Sequence, residues 1–153
     1  MIKYITGNIL ESNAQAIINT VNTEGVMGKG IALQFKKSFP NNFKAYTEAC
    51  KKELIGIGNI FVFRDSNLST GEKIIINFPT KKSWRKPSEY SYIDEGLNDL
   101  IRIINIEQIK SVAIPPLGAG NGGLEWGKVK KMIEQKLGHL EIDISVYEPT
   151  AQI

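Results

Sequence analysis

The sequence has little of the chemistry that builds metal sites, with one cysteine and one histidine in 153 residues. A single cysteine excludes an internal disulfide framework, and the two residues together exclude a zinc site built from cysteine or histidine clusters. Only hard oxygen ligands remain, so we expect no metal and no cofactor. Cys50 is interpreted as core filler in a helix, and His139 as part of a surface turn.

Long apolar runs and strong charge are also missing. No stretch is long enough to span a membrane, and we expect no signal peptide. The net charge of +3 permits an anionic partner without requiring one. The length of 153 residues suffices for one domain with a buried core. We therefore expect a cytoplasmic, monomeric protein with a single domain over residues 1–153.

Predicted strands and helices alternate along the chain. Apolar patterning predicts strands at 2–5, 15–20, 59–64, 73–78, 111–115 and 142–147, and helices at 28–38, 41–54, 88–107 and 125–137. Residues 60–78 are predicted to form a hairpin with a polar turn at 65–71, and Ser88 is a predicted N-cap. This order indicates an α/β fold with a central, largely parallel sheet.

The stretch from Asn19 to Ala32, NTVNTEGVMGKGIA, joins a predicted buried strand to a predicted helix. Its glycines allow close approach of a ligand to the backbone, and the helix start offers unpaired N–H groups to an anion. We interpret it as a phosphate-binding loop in which Asn19 and Asn22 make polar contacts. The alternative is an ordinary strand–turn–helix junction whose asparagines cap a turn.

Three loops, 19–30, 79–87 and 116–123, follow the carboxyl ends of predicted strands, the edge where open α/β sheets bind ligands. Two are rich in glycine, which suits a diphosphate better than a single phosphate. The last of the three loops, 116–123, contains G-x-G-x-x-G, but too few alternating strands and helices follow this motif for a dinucleotide-binding half-fold. Lys29 is followed by Gly30 instead of Ser or Thr, which excludes a Walker A loop.

Three segments, NTVNTEGVMGKGIALQF, INFPTKKSWR and IPPLGAGNGGLEW, together resemble the macrodomain family, which binds ADP-ribose. The chain is most similar to the branch that removes terminal ADP-ribose. The resemblance implies a three-layer α/β/α sandwich. It implies hydrolysis of ADP-ribose from thymine bases of single-stranded DNA, as an antitoxin that counters a cognate transferase toxin. It also implies that the chain is a piece of a longer protein with a toxin-binding domain.

The resemblance assigns site residues by position. Lys81 falls at the catalytic lysine, Asn8 and Ile9 lie near the adenine, and Asn22 faces the distal ribose. The implied ADP-ribose contacts are Asn8, Ile9, Asn19, Asn22, Gly28, Lys29, Gly30, Ile31, Thr80, Leu117, Gly118, Ala119, Gly120, Asn121, Gly122 and Gly123. Two positions depart from the wider family, because aspartate is common at position 8, and a human relative carries a catalytic aspartate at position 121. A non-catalytic ADP-ribose reader is therefore the alternative function.

The chemistry of Lys81 requires a neutral amine. An unperturbed lysine has a pKa of ~10.4, and burial or a neighbouring cation lowers it. Lys82 and Arg85 are the predicted cationic neighbours. The amine would attack the ribose carbon or stabilise its ring-opened form, and the alternative is that Lys81 merely pairs with the diphosphate.

The loop 79–87 is basic and holds one tryptophan. Lys82 and Arg85 are predicted to hold DNA phosphates, and Trp84 to stack on a base. One alternative is a solvated basic loop with Trp84 packed on the domain, and another is a plain nucleic-acid-binding module. Trp126 is interpreted as core or pocket wall.

Overall fold

The computed structural model describes residues 1–149, so residues 150–153 of the predicted domain lie outside the described part. Six strands form one sheet: β1 (Ile2–Ile5), β2 (Ala16–Asn22), β3 (Phe61–Asn67), β4 (Gly71–Lys81), β5 (Ser111–Ile114) and β6 (Asp143–Tyr147). Four α-helices accompany it: α1 (Gly30–Ser38), α2 (Pro40–Lys51), α3 (Tyr90–Ile106) and α4 (Trp126–Leu137). A short 3-10 helix, Ile9–Glu11, follows β1.

The strands are ordered β1-β6-β5-β2-β4-β3. All neighbouring pairs are parallel except β3 and β4, which form the predicted antiparallel hairpin. The largely parallel sheet is thereby confirmed. Because β2 lies between β5 and β4, the loops that follow these three strands leave the same edge side by side.

The side chains of each strand alternate between two helical layers. In β2, Ala16 and Ile18 face a core formed with α3 and α4. Ile17 faces a second core formed with Phe35 of α1 and with Phe39, which directly follows that helix. A third cluster joins the end of β2 to α2. This period of two, with apolar residues on both faces, is what a sheet covered on both sides requires. The predicted three-layer α/β/α sandwich is confirmed.

A chain of buried polar side chains ties α2 to the sheet. Asn77 on β4 donates to Asn42 Oδ1 at 2.9 Å and to the Phe61 carbonyl at 3.0 Å. Its own Oδ1 accepts from Asn42 at 3.1 Å and from Asn19 at 3.4 Å. At the far end, the Asp65 carboxylate accepts the Asn42 backbone N–H at 2.8 Å. These partners satisfy the side-chain amides of Asn42 and Asn77, which would otherwise be costly to bury.

The second helix differs slightly from its predicted bounds of 41–54. It begins at Pro40, a first-turn position that proline favours because its missing N–H is not needed there. It ends at Lys51, because Glu53 takes a left-handed backbone with φ of 55°. Leu54 is therefore exposed instead of lying on the helix's buried face.

The hairpin strands are longer than predicted. β3 continues to Asn67, so the predicted polar turn at 65–71 contracts to residues 68–70. Asp65 stays within the strand because its carboxylate receives hydrogen bonds from α2. β4 runs through Lys81, which therefore ends a strand and does not lie in the predicted loop 79–87.

Ser88 is not the N-cap of α3, because the helix begins at Tyr90 with Glu89 in the cap position. The Ser88 side chain is buried instead, and its backbone N–H donates to the Gly122 carbonyl at 3.0 Å. Ser88 therefore belongs to the support of the third predicted loop.

Three interpretations of single residues are confirmed. Cys50 is half-buried against the cluster that contains Tyr46, His139 is exposed in a turn, and Trp126 packs on the main core. Within residues 1–149, no helix has the length and apolar character to cross a membrane.

The packing of α3 on β4 predicts a marked difference between two glycines. A methyl group at Gly96 would overlap the Phe78 ring, whereas one at Gly127 in α4 meets nothing within 4 Å. We expect Gly96→Ala to lower the free energy of unfolding by about 1–3 kcal/mol through overpacking. Gly127→Ala is the matched control, and its better helix propensity should be neutral or stabilising by up to about 1 kcal/mol. Urea unfolding measures both, and equal stabilities would contradict the packing.

Candidate functional site

A cavity of about 740 Å³ opens at the carboxyl edge of β2, β4 and β5. Its volume is in the range of small-molecule and cofactor sites. All three loops predicted to meet contribute to its walls. The sheet order explains this, because the three strands are neighbours and point the same way.

Most predicted site residues line this cavity. They are Asn22, Gly28, Lys29, Gly30, Ile31, Thr80, Lys81, Trp84, Arg85, Gly118, Gly120, Asn121, Gly122 and Gly123. Lys86, a cation of the basic loop that also suits nucleic-acid phosphates, lines the cavity as well. Further lining residues that sequence reasoning did not assign to a ligand are Thr20, Val21, Val26, Ala32, Pro87, Pro115 and Pro116. Several of these fall inside the three predicted loops, so the loops were a better guide than the individual residues.

Other predicted contacts lie elsewhere. Asn19 is fully buried beneath the cavity, where its amide donates to Asn77 and to the Met27 sulfur at 3.8 Å. Ile9 and Leu117 are buried in the two cores that flank the sheet. Their side chains therefore support the site from below and are absent from its wall in the described residues, and contact with a ligand stays a prediction for these positions.

Three more predicted residues are absent from the cavity wall within residues 1–149. Asn8 is exposed and its side chain caps the 3-10 helix by accepting from Leu10 N–H at 3.0 Å. Ala119 is half-buried in the third loop. The Lys82 amine lies over the Tyr92 ring, 5.5 Å from its centroid.

Asn22 organises the first loop. Its side-chain oxygen accepts three backbone N–H groups, from Glu24 at 3.0 Å, Gly25 at 3.2 Å and Val26 at 3.3 Å. Its amide donates to the Val26 carbonyl at 2.8 Å. The Tyr46 hydroxyl donates to the Asn22 carbonyl at 2.7 Å. Asn22 thus holds the turn together at the cavity wall, and its side chain is only slightly exposed.

Tight glycine packing shapes the third loop. Gly118 has a left-handed φ of +70°, and a methyl group at Gly122 would overlap the Ser88 hydroxyl and the Gly118 carbonyl. Gly120 differs, because a methyl group there meets nothing within 4 Å and its φ is not in the left-handed region. Gly118 and Gly122 are therefore needed by the fold, whereas Gly120 leaves space that opens into the cavity.

The first and third loops approach each other across the cavity. A methyl group on Gly30 would lie 3.1 Å from the Asn121 side-chain nitrogen. Gly30 begins α1, whose N-cap residue Lys29 makes no side-chain capping bond. The first N–H groups of this helix are thus left for an anion in the cavity, where the helix dipole favours negative charge.

Lys81 is the last residue of β4 and pairs with Asn22 of β2. Burial lowers the pKa of its amine below the ordinary lysine value, and the positive charge of Lys29 lowers this pKa further. The cationic neighbour is therefore Lys29, and not Lys82 or Arg85 as predicted. Both effects favour the neutral amine.

Trp84 lies on the cavity rim, and 44% of the residue is exposed. The Arg85 guanidinium lies over its ring, 4.9 Å from the centroid. Trp84 was predicted either to stack on a base or to pack on the domain. In the structure its indole is exposed, as stacking on a base would require.

The charges on the cavity wall are of one sign. Among the described residues, the lining includes Lys29, Lys81, Arg85 and Lys86 but no Asp or Glu. No group of three or more His, Cys, Asp or Glu residues within 1–149 is arranged to hold a metal ion. The site is therefore built for an anionic ligand, with the Lys81 amine as its distinctive reactive group.

Comparison with known proteins gives consistent matches. The family model described as Macro domain matches residues 18–133. A Thermus aquaticus protein named DNA ADP-ribosyl glycohydrolase is 51% identical over 150 residues, which cover 97% of this chain and 41% of that protein. The chain thus spans less than half the length of the first curated relatives it matches.

Two solved structures are similar over nearly the whole chain. The macrodomain of Mycobacterium tuberculosis DarG superposes with a TM-score of 0.94 at 51% identity, covering 98% of this chain and 99% of that one. Thermosipho africanus DarTG in complex with ADP-ribose superposes with a TM-score of 0.92 at 35% identity, covering 99% of this chain and 43% of that one.

The electrostatic pairing of two lysines predicts a specific pKa response. We expect Lys29→Gln to raise the pKa of Lys81, because it removes a positive charge that disfavours the protonated amine. Lys82→Gln is the matched control and should leave this pKa unchanged. An NMR pH titration of the Lys81 side chain measures both variants. A larger rise of the Lys81 pKa in Lys82→Gln than in Lys29→Gln would identify Lys82 as the main cationic neighbour.

Proposed function

The chain belongs to the macrodomain family, and on that premise we propose that it is a DNA ADP-ribosyl glycohydrolase. The proposed substrate is ADP-ribose attached to a thymine base of single-stranded DNA. The observation that carries the proposal is Lys81, whose amine has a lowered pKa and lies in a cationic cavity between two glycine-rich loops. The names of relatives at 51% identity support it.

In this proposal the glycine-rich loops hold the diphosphate and the ribose beside it. The start of α1 at Gly30 and the loop around Gly120 present backbone N–H groups, and Lys29 adds positive charge. Asn22 shapes the wall next to Lys81 and thereby places the distal ribose. The complex of Thermosipho africanus DarTG with ADP-ribose, similar over 99% of this chain, supports this ligand.

The reaction breaks the bond between the anomeric carbon of the ribose and a base nitrogen. Water supplies a hydroxyl group to the carbon and a proton to the departing base. A neutral Lys81 amine acts either by attacking the anomeric carbon or by stabilising the ring-opened sugar. In the first case water then releases the amine, so the lysine is regenerated.

The DNA strand is proposed to cross the rim formed by the loop after β4. Lys82 and Arg85 would meet phosphates, and Trp84 offers a stacking surface, as in other single-strand binders. The proposed biological partner is a DarT-like toxin, whose product is the substrate. The fusion of a transferase with a glycohydrolase in the Thermosipho africanus relative supports this partner. We propose that contact with the toxin involves mainly the part of the relatives that lies outside their match to this chain.

A non-catalytic ADP-ribose reader is the second candidate. The observation in its favour is that, within the described residues, no Asp or Glu lines the cavity to serve as a general base. Asn121 lines the cavity at the position where the resemblance implies a catalytic aspartate in a human relative. Incubation with ADP-ribosylated single-stranded DNA separates the candidates. Released ADP-ribose identifies a hydrolase, and retention without turnover identifies a reader.

The role of Lys81 predicts loss of turnover in two variants. Lys81→Ala should abolish hydrolysis while leaving most ADP-ribose affinity, because the glycine loops supply the main contacts. Lys81→Arg should also be inactive, because a guanidinium stays protonated and is a poor nucleophile. The assay measures the release of ADP-ribose from modified DNA by both variants. It contains excess chelator, because we expect no metal to take part. An active Lys81→Arg protein would reduce Lys81 to a phosphate-binding charge.

The open glycine of the third loop predicts a loss of binding without a loss of stability. Gly120→Val should fill cavity space and weaken ADP-ribose affinity at least about tenfold, or ~1.4 kcal/mol, while the midpoint of unfolding stays nearly unchanged. Gly122→Ala is the contrasting variant, because its methyl group overlaps Ser88 and should lower stability. Calorimetry and urea unfolding measure the two effects. Wild-type affinity in a folded Gly120→Val protein would contradict the assignment.

A further inference from the structure

Two exposed apolar side chains stand at the mouth of an otherwise cationic cavity. Val26 is 40% exposed and Trp84 is 44% exposed, and both line the cavity from different loops. Leu68, which is fully exposed, is not part of that wall. Neither side chain contributes to the diphosphate-binding function of the glycine loops.

Topology places the loops that bear these two side chains at the ends of two neighbouring strands, beside Lys81. β2 and β4 are parallel neighbours that pair Asn22 with Lys81 at their ends, so the loops bearing Val26 and Trp84 leave the sheet together. The Thr23 hydroxyl donates to the Lys82 carbonyl at 2.7 Å and ties one loop to the other. Asn22 fixes Val26 through its N–H and carbonyl groups.

Both walls are held in place before any ligand binds. The turn of the first loop is closed by the Asn22 side chain, and the Arg85 guanidinium lies over the Trp84 ring. One face of the indole is thus occupied by a cation, and the ring remains exposed at the rim. An exposed aliphatic group and an exposed aromatic ring on neighbouring loops of one cavity offer surfaces on which a flat group with apolar faces can pack.

We propose that Val26 and Trp84 form a clamp for the base that hydrolysis releases, with the Thr23–Lys82 hydrogen bond keeping its two walls together. This rests on the proposed function. An anomeric carbon at Lys81 has its diphosphate on the glycine-loop side, so the bond to the base points out between the two loops. Stacking on the indole holds the base while the glycosidic bond breaks.

The test compares three ligands in matched variants. The ligands are free ADP-ribose, the ADP-ribosylated thymidine nucleoside and an ADP-ribosylated oligonucleotide. Trp84→Ala and Val26→Ala should each lower kcat/KM, for the nucleoside and the oligonucleotide alike, by roughly five- to a hundredfold. Affinity for free ADP-ribose should stay within about twofold, since this ligand lacks the thymine base that the clamp would hold. Trp84→Phe should keep most of the wild-type kcat/KM, and Leu68→Ala should have the same kcat/KM as wild type.

Two outcomes would overturn the clamp. If Trp84→Ala harms turnover of the oligonucleotide but not of the nucleoside, the indole stacks on a neighbouring base. If Trp84→Ala weakens the binding of free ADP-ribose to the same extent, Trp84 belongs to the ADP-ribose site itself. Thr23→Val should reproduce the direction of the Trp84→Ala effect with smaller size, and an unchanged nucleoside rate in it would remove the hydrogen bond from the proposal.

A binding measurement separates failure of the clamp from failure of the proposed hydrolase. In a Lys81→Ala background, the ADP-ribosylated nucleoside should bind more tightly than free ADP-ribose, and adding Trp84→Ala should erase the difference. If wild type turns over neither substrate but this difference persists, the clamp stands and the hydrolase does not. If no difference exists in the Lys81→Ala protein, the clamp is wrong whatever the activity.

Discussion

The parallel pairing of β2 with β4 is the constraint on which the site depends. It brings Asn22 opposite Lys81 at the ends of two neighbouring strands, with a register shift between Val21 and Asn22 where regular pairing stops. At that irregularity the Asn22 carbonyl accepts a hydrogen bond from the Tyr46 hydroxyl. Burial raises the pKa of Tyr46, so the hydroxyl keeps its proton and remains a donor. The first loop, the catalytic candidate and the rim loop all start from this one junction.

Beneath the junction, buried asparagines take the place of apolar packing. Asn19, Asn42 and Asn77 are fully buried and linked by side-chain hydrogen bonds. Such a network stabilises only when its partners are correctly placed, and it therefore favours one arrangement of α2 against the sheet over other packings. It also explains why Asn19, which precedes a glycine-rich loop in the sequence, lies below the cavity and not on its wall.

Local patterns were sufficient to predict the alternation of strands and helices, the largely parallel sheet and the three loops of the site, whereas the three-layer sandwich was implied by the resemblance to the macrodomain family. The apolar runs 16–18 and 74–76 involve only neighbouring residues, so they can be read directly from the sequence. The partners of Asn77 and the approach of Lys29 to Lys81 join residues that are far apart in the chain. No local pattern encodes those pairs, which is why Lys82 and Arg85, the nearest cations in sequence, were chosen instead. Lys81 itself was placed in a loop because Pro79 suggested that the strand had ended.

The one-sided charge of the cavity wall has a kinetic consequence. Lys29, Lys81, Arg85 and Lys86 face the opening, and within residues 1–149 no carboxylate on the wall offsets them. Their field extends over about one Debye length into solution, so polyanions are drawn in faster at low ionic strength. The same field slows the escape of any anion after a reaction, because departure leaves the cations of Lys29, Arg85 and Lys86 without counterions. Ionic strength thus acts in opposite directions on the capture and on the release of an anion, and for the proposed hydrolase this places the fastest turnover at an intermediate salt concentration.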